Sequence, residues 1–289
     1  LSLRAGDRSD VRLSVERIVL DVGQQAVISP VLNSLLAQEF GQDRGDWVER
    51  SSIGLRWDRR SAGGFAVEVE TGLEDWQGVA VRAQPARGSF RPNPDLGGGR
   101  YAVVRAGVRR ERSGGPSPGV GLMAVGEVGA GPATYLRLLA TADWASRWGP
   151  GEFRASGSAG WTSARVPLAR GFVLGGWGSL PGTPYRGYGG RRMASARVEW
   201  LFRVPAPAWR MGSFPAVPGA ILAGPFLAAG VTGGTLPGAP WPASGGIQPV
   251  VGAALEALFG MVRLEVGLGL RGGLLSGSLD LTRAWWAVL

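Results

Sequence analysis

Three groups of residues in this chain have types and spacing that invite chemistry. GPSPG at 115–119 fits the G-x-S-x-G pattern of a serine nucleophile. Such a serine needs a base, and the chain has no histidine; Pro116 and Pro118 also deny Ser117 the strand-to-helix turn that would expose it. GLGLRG at 267–272 fits G-x-G-x-x-G, whose glycines let a backbone cradle a pyrophosphate at a helix N-terminus. Here Gly267 and Gly269 fall on the polar side of an alternating run with no helix after it, so close packing explains them. Glu68 and Glu70 could act as acid and base, but alternation puts both on one strand face as a pair of wall charges. The absence of cysteine removes thiolate metal sites and disulfides. No catalytic residue, metal ligand or cofactor is expected.

The elements that carry these residues are strands. In GMVRLEVGLGLR (260–271), Val262, Leu264, Val266, Leu268 and Leu270 share one face, and Arg263, Glu265, Gly267, Gly269 and Arg271 share the other. That period of two recurs in MASARVEWLFRV (193–204), FAVEVETGL (65–73), SIGLRWD (52–58) and EFRASGSAGW (152–161). It means one apolar and one polar face, with charge in mid-strand. A soluble sandwich and a membrane barrel both satisfy alternation alone. No apolar run of about 18 residues is present, so a helical span is excluded; the longest candidate, PGAILAGPFLAAGVTGG (218–234), is broken by Pro225 and its glycines.

Strands are expected at about 10–21, 47–58, 63–73, 78–85, 101–112, 119–128, 133–145, 152–162, 191–204, 219–231, 248–257, 260–271 and 276–288, with a stub at 1–5. That makes about 14, with 12–16 allowed, in the size range of bacterial barrels. No linker divides the pattern, so residues 1–289 read as a single all-β domain, a transmembrane antiparallel β-barrel. The chain starts at Leu1 with no leader and reads as the C-terminal part of a longer precursor. Trp47, Trp57, Trp144, Trp161, Trp285 and Trp286 fall near strand ends, where amphipathic rings suit the water–lipid interface. SPVLNSLLAQEF (29–40) breaks the rhythm: Ser29 can cap, Pro30 suits a first turn, and Leu32, Leu35, Leu36 and Phe40 line one side. It predicts a short helix in a long loop, docked at the surface or covering a lumen.

The formal net charge is +9. The arginines are dispersed through strands (Arg56, Arg105, Arg137, Arg154, Arg197, Arg263) rather than clustered on one element, which fits a basic lumen and not nucleic acid.

The longest non-strand stretch near mid-chain, 164–190, is rich in glycine and aromatics. FVLGGWGSL, then YRGYGG, then the strand MASARVEWLFRVP, resembles the sixth-loop signature of the bacterial surface antigen superfamily, the BamA/TamA-type barrels that assemble or translocate outer-membrane proteins. The match covers Gly175, Gly176, Ser179 and Leu180, then Arg186, Gly187 and Tyr188 as the tip, with Glu199 in the next strand; it is best over 150–289. Three departures stand out. Pro181 and Gly182 follow Leu180 where the family has its arginine, and Arg170-Gly171-Phe172 is a second arginine-glycine-aromatic run. Phe226, Ala228 and Gly230 leave alanine where the family carries an aspartate. The chain stops at Leu289, past Trp285 and Trp286, where the family ends on an aromatic.

The resemblance implies a lid loop folded into the lumen, with Arg186 clasped by a carboxylate on the polar wall; Glu199 is the expected partner. It also implies a bacterial outer-membrane location, membrane lipid as surroundings, unfolded outer-membrane proteins as clients, and a weakly paired seam between first and last strands, where the last strand carries Arg283. The alternative is a pore, or an anchor for a missing N-terminal module.

Overall fold

The computed structural model describes residues 2–4, 9–23, 30–61, 63–81, 83–110, 118–207 and 219–281, the side chains of 2–4, 30, 31 and 259 aside. Ser29, Ser117, Arg283, Trp285, Trp286 and Leu289 lie outside the described residues. Thirteen strands form one antiparallel sheet: β1 (Ser2–Arg4), β2 (Ser9–Asp21), β3 (Trp47–Arg60), β4 (Phe65–Gly78), β5 (Gly99–Arg110), β6 (Gly119–Ala130), β7 (Tyr135–Trp148), β8 (Gly151–Thr162), β11 (Arg192–Pro205), β12 (Ala220–Gly233), β13 (Gln248–Ala257), β14 (Val262–Gly269) and β15 (Leu275–Leu281). A separate hairpin, β9 (Phe172–Leu174) with β10 (Tyr188–Gly190), belongs to the loop between β8 and β11. Each strand pairs with its sequence neighbour in the sheet, so every crossing is a hairpin. This is a transmembrane β-barrel; among the described residues no helix is long and apolar enough to cross a membrane.

Alternation sets which way each side chain points. Leu264, Val266 and Leu268 are exposed on the outer face of β14, whereas Glu265 is buried inside. Val104 and Val108 of β5, Val198 and Trp200 of β11 and Ile53 and Leu55 of β3 are likewise exposed outward. Large apolar groups in these numbers on an outer surface require lipid against them. Short connections follow β3, β7 and β13 at one end of the barrel, the turn end; long ones follow β2, β4, β8 and β12 at the other, the loop end. Trp57, Trp144 and Trp200, with Phe65, Phe153 and Phe202, ring the outer face toward the turn end. Two pairs of these rings are in contact, Trp144 with Phe153 at 5.5 Å and Trp200 with Phe202 at 4.7 Å between centroids. Trp161 lies at the loop end. Trp47 does not join a girdle: its indole N–H donates to Asp43 (2.7 Å) among the loops.

The buried core lies inside, in two clusters, the first at the loop end and the second reaching down the wall toward the turn end. One joins Val22, Val48, Trp76, Tyr101 and Tyr135 to loop residues Leu96, Val166, Leu236 and Trp241. The other joins Leu201, Phe226, Val250 and Ala254 of the wall to Phe172, Leu174 and Leu180 of the loop.

Two sequence expectations are corrected. Among the described residues no further strand occupies 79–85: β4 runs on to Gly78 because Glu74 and Trp76 keep the inward alternation, and 79–81 and 83–98 are irregular. Pro85, Pro92 and Pro94 cannot donate to a ladder, and Asn93 stands in for a strand partner by accepting from Trp47 N and donating to the Trp47 and Val79 carbonyls. The predicted helix forms as α1 (Pro30–Phe40). Its leucine face is not what seats it, since Leu35 and Phe40 are exposed while Asn33 is buried, donating to Asp43 and accepting from Arg44 N. α1 packs beside β15, so the connection after β2 reaches the far margin of the sheet.

Candidate functional site: the lid loop and its anchors

Loop 164–190 enters from the loop end and occupies the inside of the barrel. Its frame is the β9–β10 hairpin, with Phe172 opposite Gly190 and Leu174 opposite Tyr188. Between them, Gly176 N and Leu180 N exchange bonds with the Leu180 and Gly176 carbonyls, and Ser179 Oγ accepts from Gly175 N (2.9 Å). Gly175 and Gly176 have φ of 121° and 73°, in the left-handed half of the map. The motif is therefore a turn that buries Leu180 against the inner face of β12, where a β-carbon at Gly230 would meet it at 2.8 Å.

The loop then lies on the margin formed by β14 and β15. A β-carbon at Gly182 would fall 2.4 Å from Gly269 N, and one at Gly267 would fall 2.6 Å from Pro181 Cβ. Gly182 N donates to Ser276 Oγ of β15 (2.7 Å). Gly267 and Gly269 of GLGLRG are the floor on which backbone meets backbone, and Pro181-Gly182, the departure from the family pattern, is the segment that sits there.

Four residues on, the tip reaches the opposite margin. Arg186 has φ of 46°, unusual for a residue with a β-carbon, and its N–H donates to Gly175 O (3.1 Å). Its guanidinium is buried. Nη1 donates to Asp46 Oδ2 (2.8 Å), and Nη2 lies 2.5 Å from Asp21 Oδ1 as a charge contact without an aligned hydrogen bond. Asp21 ends β2 and Asp46 precedes β3; Asp46 N donates to Asp21 Oδ1 (2.9 Å), and Arg91 Nη2 holds the other oxygen of Asp46 (2.6 Å). Burial disfavours the charge on Arg186, but Asp21, then Tyr185 and Asp46, outweigh it and raise its proton affinity above that of a free guanidinium. Tyr185 donates to the Arg44 carbonyl, and burial pushes its phenol up to about 12. Arg44 stacks on Trp177 at 3.6 Å from the ring centroid. Gly187 N donates to Pro184 O (3.0 Å), closing the tip, and Tyr188 starts β10.

Glu199 is not the partner of Arg186. Its carboxylate is taken by Arg197, two residues along the same inward face, and by Arg263 of β14. It belongs to a belt in which Arg154 bridges Glu152 (2.7 Å) and Glu256 (2.6 Å), Arg263 bridges Glu256 and Glu265, and Arg197 holds Glu265 (2.8 Å). The physical reason is proximity: same-face and cross-strand arginines neutralise Glu199 before a loop can reach it. Arg170, the second arginine-glycine run, is also drawn inward, with Nη2 at 3.2 Å from Glu74 and Nε at 3.1 Å from Glu127, beneath the Trp76 ring. Glu68 pairs with Arg56 (2.6 Å) and Glu70 with Arg105 (3.1 Å). Ala228 is buried inward on β12 beside Phe226. Asp21, Asp46, Asn93 and Tyr185 were not singled out from sequence. For Asp21 and Asp46 the only mark in the sequence is an aspartate at each flank of a long connection, which does not by itself bring the two together.

Below the loop a small polar cavity of about 180 Å³ is lined by Asp143, Ser156, Ser158, Ser195 and Arg197. Among the described residues no group of histidine, cysteine or carboxylate side chains could hold a metal ion.

No family model matches the chain, and no curated protein matches it. Among solved structures it is similar to the crystal structure of BamA from Haemophilus ducreyi lacking POTRA domains 1-3, with 12% identity and a TM-score of 0.59. The alignment covers 94% of this chain and 59% of that one, so the chain spans little more than half the length of its structural neighbour. At that identity the likeness concerns the fold, which is that of a BamA-type transmembrane barrel.

Proposed function

We propose that this barrel sits in the bacterial outer membrane and assembles or translocates proteins there, with no enzymatic step of its own. The observation that carries the reading is the double anchorage of loop 164–190: Gly182 on β14 and β15 at one margin of the sheet, Arg186 on the ends of β2 and β3 at the other. Among the described residues β1 pairs only with β2, and β15 only with β14. A margin with free backbone donors and acceptors can template an incoming strand, and a loop tied to both margins can hold them in register until a client arrives. The clients that fit are unfolded outer-membrane proteins, whose strands carry the same alternation. The absence of histidine from the whole sequence removes the usual base for hydrolytic work.

The experiment is reconstitution. Liposomes carrying the barrel should speed membrane insertion of a urea-unfolded outer-membrane protein relative to empty liposomes. Equal rates would refute the assembly reading, and ion conductance without faster insertion would favour a pore.

A further inference from the structure

The outer face of the barrel is not uniform. On β14, Leu264, Val266 and Leu268 present large side chains to the membrane, but Ala124, Ala140, Ala159 and Ala194 are direct cross-strand partners running over β6, β7, β8 and β11. All four are exposed. Two outer-face hollows of about 540 and 570 Å³ share Ala124, Ala140 and Ala159 as their floor, with Val108, Leu122 and Leu138 among the residues that wall them. Because barrel strands are tilted, a row of direct partners crosses the bilayer obliquely. Val108, which starts the row opposite Ala124, lies two residues from the turn-end terminus of β5, whereas Ala194 lies two residues from the loop-end terminus of β11. The trough therefore runs from one membrane surface deep into the bilayer.

At its turn-end mouth stands charge. Arg110 closes β5 over the Phe65 ring, 5.5 Å from the centroid, and Arg59 lies on the outer face of β3, across Val67 from Val108. Both are exposed, and among the described residues neither is ion-paired, in contrast with Arg17, which on the outer face toward the loop end pairs with Glu49 (2.8 Å). We propose that this trough is a phospholipid site: one acyl chain lies along the alanine row, and the headgroup phosphate is held by Arg110 and Arg59. A methyl floor admits a chain where larger side chains would displace it, and two unpaired guanidiniums supply the charge complementarity that selects an anionic headgroup.

The test is native mass spectrometry of the detergent-purified barrel titrated with phosphatidylglycerol or phosphatidylcholine. One lipid per barrel should be retained, with phosphatidylglycerol bound roughly tenfold more tightly. The double variant Ala124→Phe with Ala140→Phe should lose both lipids. Arg59→Ser with Arg110→Ser should keep one lipid but lose the preference, and Val266→Phe, on the outer face of β14 away from the row, should behave as the parent. Retention by the double Phe variant equal to that of the parent would overturn the site. Should that variant fail to fold, Ala140→Cys supplies the only thiol in the chain: a nitroxide there must lose mobility on adding phosphatidylglycerol, and an unchanged spectrum would overturn the site. Disulfide-linked dimers through that cysteine would assign the face to a second copy and overturn it as well.

Discussion

The barrel holds its buried charge in two ways. In the belt over β8, β11, β13 and β14, three arginines and four glutamates share contacts, so Glu199 is held by Arg197 and Arg263 while each of those arginines keeps another carboxylate. At the loop tip a single guanidinium serves both Asp21 and Asp46. The belt is redundant and local to one stretch of wall; at the clasp Asp46 has a second partner in Arg91, but among the described residues only Arg186 reaches Asp21, and it joins segments 140 residues apart in sequence. Charges on neighbouring strands solidify a wall, whereas a lone charge from a distant loop makes a connection that can be made or broken as a unit.

The difference should appear first in paired substitutions. Arg186→Ala removes the charge shared by Asp21 and Asp46, leaving Asp46 to Arg91 alone, and should cost about 3 kcal/mol. Glu199→Gln keeps shape and leaves both arginines partnered, so about 1–2 kcal/mol is expected. Urea or heat unfolding in lipid vesicles measures both, and equal losses would erase the distinction. Next in size is Val266→Arg, which puts a charge against lipid for about 2–4 kcal/mol if the site lies near the midplane; tolerance equal to that of Glu265→Gln would reverse the facing of β14. Gly182→Ala follows, at about 1–3 kcal/mol, because φ of 86° and the Gly269 backbone both resist a β-carbon. Its effect should be on the β14–β15 anchor alone, seen as protease sensitivity of loop 164–190 with the strands intact.

The smallest effect is one of pH. Tyr185 is raised by burial from about 10 to about 12, so its neutral form is favoured in the folded state. Its contribution is fully present below pH 10 and is lost as pH rises through 12. Phenolate absorbance, compared with Tyr185→Phe, should show one tyrosine that ionises late and releases its bond to the Arg44 carbonyl. A normal ionisation at that residue would mean a solvated tip.

Much of this was legible in the sequence. Alternation in 260–271 and 193–204 fixes which residues face lipid, because a strand has only two faces and lumen charge cannot share one with Leu264 or Trp200. Glycine at 175 and 176 with Ser179 between them and Leu180 was legible as a turn, and the fold buries Leu180 there. The clasp was misassigned for a physical reason: a mid-strand glutamate looks available in sequence, but the arrangement of strands that brings Arg263 to Glu199 is a property of the folded wall. Asp21 and Asp46 become one site only when the long connection containing α1 folds back, and no local pattern in 22–46 announces that. Strand 78–85 failed because β4 is longer than its apolar pattern and a side chain, Asn93, replaces a ladder.

Arg186 ties loop 164–190 to the β2–β3 margin through Asp46. A double-mutant cycle with Arg186→Ala, Asp46→Ala and the combined variant, unfolded in lipid vesicles, tests it most directly. The double variant should be more stable than the sum of the two losses predicts, with a coupling of about 2 kcal/mol or more. Additive losses, with coupling near zero, would contradict it.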